Sequence, residues 1–516
     1  MTTDTSGDWT AGYVADIGYT YGYYRELNPL RVGLAFANAG LVAPAIATAC
    51  ELGFGQGVSV NLHAAASGVR WMGTDFNPSQ AAFARELAQA SGSGAQLFDE
   101  SFAEFCGRAD LPEFDFIGLH GIWSWISDDN RATIVDFVRR RLRVGGVLYI
   151  SYNTMPGWAA FAPMRHLMTQ HAEVLGAEGR GIVSRIDGAI DFAERLMAVN
   201  PLFARANPQV AERIKQVKGH NRHYLAHEYF NLDWHPMHFA TMAEWLAPAK
   251  VQYACSAHLL DHVDPINLTA EQQAFLAEIP DRMFRESARD FLVNAQFRRD
   301  YWVKGARQLN PLERVETLRA QRLVLTQPRA EVSLKVTGAA GEAQLQESVY
   351  GPLLDTLSDY RSRTVGEMEA ALAGRAQPAQ IHQAVMVLAG NGALAPAQPD
   401  GADPAVARAS EAINRHLEAR ARGSGDVSYL ASPTVAGGVT VGRFQQLFLA
   451  ARRAGAKDAA AMARSAWTVL AAQGQRLVKD GKTLESEQDN IAELTQQAEA
   501  FLAGVGRMLE ALGVTR

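Results

Sequence analysis

The chain has 516 residues, 48% hydrophobic and 20% charged, the make-up of a globular protein too long for one hydrophobic core. Forty-nine basic against fifty-five acidic residues give a net charge of −6, which argues against the basic footprint of a general nucleic-acid binder. The three cysteines (Cys50, Cys106, Cys255) are isolated, so neither a disulfide framework nor a CxxC metal knuckle is expected, and the default compartment is a reducing cytoplasm.

The opening MTTDTSGDWT lacks the charged-then-apolar order of a signal peptide. The longest apolar region, 32–49, is interrupted by Asn38, Gly40 and Pro44, so no membrane insertion is expected. From residue 30 to 155, helix-like and strand-like segments alternate. Helical spacing over 31–43 leads to a short buried strand before Gly53. "RWMGTDF" (70–76) reads as the second strand and "PSQAAFARELAQAS" (78–91) as a helix with proline at its start. "AQLFDESF" (95–102) and "FDFIGLHG" (114–121) supply further strands, "RATIVDFVRRRL" (131–142) an amphipathic helix, and "GGVLYISYN" (145–153) another apolar strand. This alternation predicts an α/β fold built on a doubly wound parallel sheet. Beyond Trp158 strand-like runs become scarce. Residues 163–216 read as helical, 220–239 are rich in histidine and aromatics, and 281–307 are rich in arginine. Three short helices and "GNGALAPA" over 350–396 outline a winged-helix-like module. Pro/Gly-rich joints at 395–404 and 420–438 bracket a final helical domain.

"CELGFGQGVSV" (50–60) carries the chemistry. Gly53, Gly55 and Gly57 permit a sharp strand-to-helix turn and a close approach of backbone N–H groups to a ligand. Asp75 ends the next strand, where a carboxylate can take both hydroxyls of a ribose. Asp99 closes the third strand near an adenine edge, and His120 ends the fourth, facing the crevice of an open sheet. Dinucleotide enzymes use G-x-G-x-x-G to seat a pyrophosphate, whereas the spacing here is G-x-G-x-G with Glu51 ahead of it. A carboxylate at that point repels pyrophosphate and suits a guest with an ammonium group and a sulfonium. S-adenosylmethionine carries both and is the expected cofactor.

"ELGFGQG", "GTDFNP", "DESFAEF", "LHGIWSWIS" and "SYNTMPGW" resemble the successive motifs of bacterial class I methyltransferases with a methyltransferase regulatory domain, and "YLAHEYFN" (224–231) resembles the opening of that domain. Members with this layout include the rickettsial protein-lysine methyltransferases that modify outer-membrane proteins. The first 160 residues and 220–307 carry the resemblance. It implies an N-terminal cap (1–40), a Rossmann-like S-adenosylmethionine-binding domain (41–160), a helical insertion through which a homodimer forms (161–215), and a regulatory domain (216–307). A winged-helix-like middle domain (308–400) and a helical C-terminal domain (401–516) follow. Carried over residue by residue, donor-binding roles fall on Glu51, Gly53, Phe54, Gly55 and Gly57. Asp75 and Phe76 would meet ribose and adenine, and Asp99 and Ser101 the adenine side. Tyr19 and Tyr24 of "YTYGYYRELNP" (19–29) fall in the cap that closes over the donor, and His120 stands beside the methyl group. Phe54 and Gln56 depart from the rickettsial loop.

The expected acceptor pocket is His120, Trp123, Tyr152 and Asn153, with Tyr152 or His120 taking the proton. Trp123, Trp125, Tyr152 and Trp158 could hold an alkylated ammonium by cation–π contact, or the two tryptophans could be packing residues. His220, His223, His227, His235 and His238 raise the question of zinc, but Asn231 stands where HExxH needs its second histidine. Core or interface histidines are the simpler reading, and no metal is expected. Arg282, Arg285, Arg289, Arg298 and Arg299, spaced as on a helix among Glu286, Asp290 and Asp300, read as an ion-paired face or as a dock for an acidic substrate. The function expected is methyl transfer to lysines of a protein substrate. The alternatives are a small-molecule or natural-product-peptide methyltransferase, and a regulator that binds the donor without turnover.

Overall fold

The computed structural model describes residues 20–176, 181–231, 233–399 and 403–515, so Tyr19 lies outside the described residues. Helices α1 (Pro29–Ala39), α2 (Val58–Ala66), α3 (Pro78–Ser91), α4 (Phe102–Gly107) and α5 (Asp128–Arg141) alternate with strands β1 (Thr48–Leu52), β2 (Arg70–Thr74), β3 (Gln96–Phe98), β4 (Phe114–Leu119) and β5 (Leu142–Asn153). Local chemistry sets these boundaries. Asn77 caps α3 by accepting the Ser79 N–H, Pro78 fixes its first turn, and Gly92 ends it in a left-handed conformation. Ser101 and Glu104 form a capping box at the start of α4.

Two more strands, β6 (Gln252–Ser256) and β7 (Phe297–Val303), complete a seven-stranded sheet of order β3-β2-β1-β4-β5-β7-β6. The first five strands are parallel; β7 runs antiparallel to β5 and to β6. The sheet is therefore mixed, and it does not end near residue 160. Arg298 and Arg299 sit on β7 and not on the helix Arg282–Leu292 with the other arginines. The charge of "FRRDYWV" hides this strand from a hydrophobicity reading. Arg298 can be buried there because Asp300 Oδ2, Asp290 Oδ1 and Glu286 Oε2 lie 3.0, 2.5 and 2.9 Å from its nitrogens.

Side chains alternate across the sheet. Phe116, Val147, Tyr149 and Tyr301 belong to the core shared with α1, while Ile117, Leu148, Ile150, Tyr152 and Trp302 pack with Ile134, Phe137 and Val138 of α5. The helices between 162 and 219 have a core of their own around Ile186, Ile190, Ile214 and Val217. Farther on, strand Arg322–Leu325 lies antiparallel between Arg363–Thr364 and Leu394–Pro396. The hairpin of Tyr429–Ser432 and Gly437–Thr440 brings Leu430, Val435 and Val439 into one core with Val58, Leu62 and Ala65 of α2, so the last third of the chain buttresses the helix that follows the glycine loop. None of the described helices is long and apolar enough to cross a membrane.

Removing the charge shared by three carboxylates leaves Asp290 and Asp300 buried without a cation. Arg298→Met is expected to lower unfolding free energy by about 3–5 kcal/mol, measured by urea denaturation. A loss below about 1 kcal/mol would mean that the cluster is not what holds β7 in place.

Candidate active site at the carboxyl edge of the sheet

β1 runs into a turn in which Gly53, Gly55 and Gly57 have φ of 71°, 57° and 68°. A Cβ at Gly53 would run into Ile122 and one at Gly57 into Ala84, so both conformation and space demand glycine. The Gly55 N–H donates to Asp75 Oδ2 (2.8 Å) and the Asn77 N–H to Asp75 Oδ1 (3.0 Å), which ties the loop to the end of β2. Burial nevertheless pushes the Asp75 carboxyl up to about 7.

Glu51 stands in register between Gly73 of β2 and Gly118 of β4. It is 1% exposed, and its Oε2 has no hydrogen-bond partner among the described residues. Burial first, and the nearby Asp75 second, hold this carboxyl well above the usual carboxylate range. Two buried acids side by side each favour the neutral form, and a positively charged neighbour would relieve both.

A cavity of about 230 Å³ opens at this edge. Gly53, Phe54, Gly55, Asp75 and Phe76 line it from the first two strands, Ser101 and His120 from the next two, and Tyr24 from the segment ahead of α1. Glu51 and Gly57 lie outside the lining. Asp99 does too: its half-exposed carboxylate turns to Arg85 at 2.5 Å, and Glu100 and Phe102 form the wall in its place.

His120 stacks on Tyr24 with ring centroids 3.5 Å apart, and its Nδ1 lies 2.7 Å from the Tyr149 hydroxyl. Burial lowers the His120 pKa to about 4 against the opposing pull of Glu26, so the imidazole is neutral at pH 7 and a weak proton acceptor. Glu26 is itself buried, which alone would raise it, but Arg31 and Arg299 hold it down to about 2. Arg299 Nη1 is 3.0 Å from its carboxylate.

The other three residues expected at the acceptor pocket are elsewhere. Trp123 is fully buried, its Nε1–H donating to Met237 Sδ (3.4 Å) and its ring edge-on to Trp245, a packing role. Tyr152 is three residues from Tyr149 and so faces the other side of β5, where its hydroxyl donates to Asp300 Oδ2 at 2.8 Å. Burial and Asp300 push its pKa well above the ordinary value. Asn153 is buried, with its N–H on Ser124 Oγ and its carbonyl accepting the Met237 N–H. Trp158 packs with Phe161 and Tyr229.

Trp125, by contrast, lines the cavity, as do His227, Glu228 and Asp233 from the histidine-rich stretch. His220 and His223 are exposed while His227 is buried, and no group of three or more His, Cys, Asp or Glu side chains among the described residues is placed to hold a metal. Tyr149 and Glu26 were not legible as site residues. Tyr149 reads as one more apolar residue of β5, and Glu26 lies in the turn ahead of α1, where only the fold brings Arg31 and Arg299 to its carboxylate.

Residues 221–304 match the family described as a predicted methyltransferase regulatory domain, a span that contains both β6 and β7. The uncharacterized protein sll1526 of Synechocystis sp. is 38% identical over 513 residues, covering 98% of this chain and 100% of that protein. The uncharacterized protein RP789 of Rickettsia prowazekii is 25% identical over 291 residues, 53% of this chain and 49% of that protein. The structure of PKMT2 from Rickettsia typhi in complex with AdoHcy superposes with a TM-score of 0.71 at 14% identity, covering 96% of this chain and 100% of that one, so the two share a fold. The chain thus belongs to one family with sll1526, carries a segment that matches a predicted methyltransferase regulatory domain, and has the fold of PKMT2.

Proposed function

We propose that this chain transfers methyl groups from S-adenosylmethionine to lysine side chains of a polypeptide. The observation that carries the donor half of this reading is the buried Glu51–Asp75 pair behind a cavity rimmed by left-handed glycines. When bound, S-adenosylmethionine supplies an electrophilic methyl group on a cationic sulfur. Asp75 would hold the ribose, the acidity of Glu51 and Asp75 would favour the cationic amino-acid end, and Phe54 and Phe76 would offer apolar surface to the adenine. The protein-lysine half draws support from the shared fold with PKMT2.

The work of the chain is largely alignment. A lysine attacks only as the free amine. Desolvation beside Tyr24, His120 and Trp125 lowers the pKa of its ammonium form, and the neutral His120 adds no positive charge. We also read residues 161–215 as a self-association element, because the described part of this stretch exposes Val174, Leu175, Val199 and Leu202.

Incubation with methyl-labelled donor and cell-envelope polypeptides is expected to place label on lysines, located by mass spectrometry as increments of one CH₂. Asp75→Ala, which loses the ribose hydrogen bonds, is expected to abolish the signal and weaken donor binding by about 2–3 kcal/mol in calorimetry. Label confined to small molecules would replace lysine by a small-molecule acceptor. Binding with no transfer to either would leave a regulator.

The raised Asp75 pKa also has a sign. Its contribution to the stability of the unliganded fold is full below the ordinary value of 3.8 and is lost as pH rises to about 7. Urea midpoints of the wild type should therefore fall more steeply over that window than those of Asp75→Asn. An equal or steeper fall in the variant would contradict the assignment.

A further inference from the structure

The largest recess described at this edge of the sheet is not the donor cavity. A groove of about 650 Å³ lies beyond β5, floored by the end of β6 and the start of β7 and walled by the helix Arg282–Leu292. β6 is parallel to β5 because both run antiparallel to β7, so Ser256, Arg298 and Arg299 open on the same carboxyl edge as the glycine loop. Groove and donor cavity are separated by little more than one layer of side chains. Phe297 lines the groove and meets His120 of the cavity edge-on at 6.4 Å, and Arg299 lines the groove while pairing with Glu26.

We propose that this groove docks the acceptor polypeptide and that its lysine reaches the donor cavity past Phe297 and the Arg299–Glu26 pair. This rests on the lysine-methyltransferase reading above. Three features select a polypeptide. The groove is nearly three times the volume of the donor cavity. Its arginines are matched by Asp261, Asp264, Glu286, Asp290 and Asp300, which leaves no net charge to select a nucleic acid or an anionic metabolite. The wall helix turns its charged residues to the groove and its rings outward: Phe284 and Phe291, seven residues apart on one face, are 64% and 63% exposed. Phe275 and Phe297 are exposed nearby. Aromatic rings and arginines together are the composition of protein-binding surfaces.

Ala277, at the end of the helix Ala270–Ala277, and Ala339, just after the strand Lys335–Gly338, both line the groove and are exposed, so tryptophan at either position narrows it without entering a core. Fluorescein-labelled, reduced and alkylated lactalbumin serves as an unfolded lysine-bearing chain. Its binding is read by anisotropy, label transfer to it from methyl-labelled donor is counted, and donor affinity is measured by calorimetry. Ala277→Trp and Ala339→Trp are expected to weaken binding of the unfolded chain by about tenfold or more while donor affinity stays at the wild-type value. Unchanged binding of the unfolded chain in both variants, or no binding by the wild type, would overturn the proposal. Groove-dependent binding that is never followed by label transfer would support the groove and overturn the lysine-methyltransferase reading instead.

Discussion

Everything at the carboxyl edge of this sheet depends on the burial of two carboxyl groups with too little compensation. Glu51 is held between two strands whose in-register neighbours are glycines, its Oε2 is unpartnered among the described residues, and the nearest acid, Asp75, makes its ionisation harder still. A fold under selection for stability alone would replace such a pair with apolar side chains, since uncompensated buried charge is among the most destabilising features a protein can carry. Retaining both acids makes sense when a cationic guest supplies the missing partner.

The same constraint explains why the glycine loop is built as it is. Asp75 accepts from the Gly55 N–H, so the residue that would hold a ribose also fixes the loop that leads into α2. The α2 helix is braced from the far side by the 429–440 hairpin, which makes the C-terminal third part of the candidate site's foundation. The segment that matches a regulatory domain plays an equally structural part. It supplies β6, β7 and the Arg298 cluster, and its Arg299 joins Arg31 of α1 in keeping Glu26 ionised beside His120. A change in how β7 pairs with β5 would therefore reach the wall of the candidate cavity through contacts already in place.

The first 160 residues were largely legible because their signals are local: proline and asparagine at helix starts, glycine at turns, apolar runs for buried strands. The residues proposed to meet the donor were legible as a group for the same reason, since Glu51, the glycines and Asp75 sit at fixed distances along consecutive strands. The acceptor side was not. Trp123, Tyr152 and Asn153 follow strand ends in sequence, yet whether such a residue faces a crevice or a core depends on the parity of its position and on what covers the opposite face. Tyr149 faces His120, and Tyr152, three residues on, serves the Arg298 cluster. Asp99 is drawn off by Arg85, a partner fourteen residues away that no motif announces. β7 was missed because its charges neutralise one another only in three dimensions.

The central claim is electrostatic: the acid pair exists to meet positive charge. Calorimetric titration with S-adenosylmethionine at about pH 7, where Asp75 is near half-protonated, repeated in buffers of different ionisation enthalpy, counts the protons exchanged on binding. Net proton release is predicted, and less of it with S-adenosylhomocysteine, which lacks the sulfonium charge. Proton uptake, or an identical count for the charged and uncharged sulfur, would contradict the account.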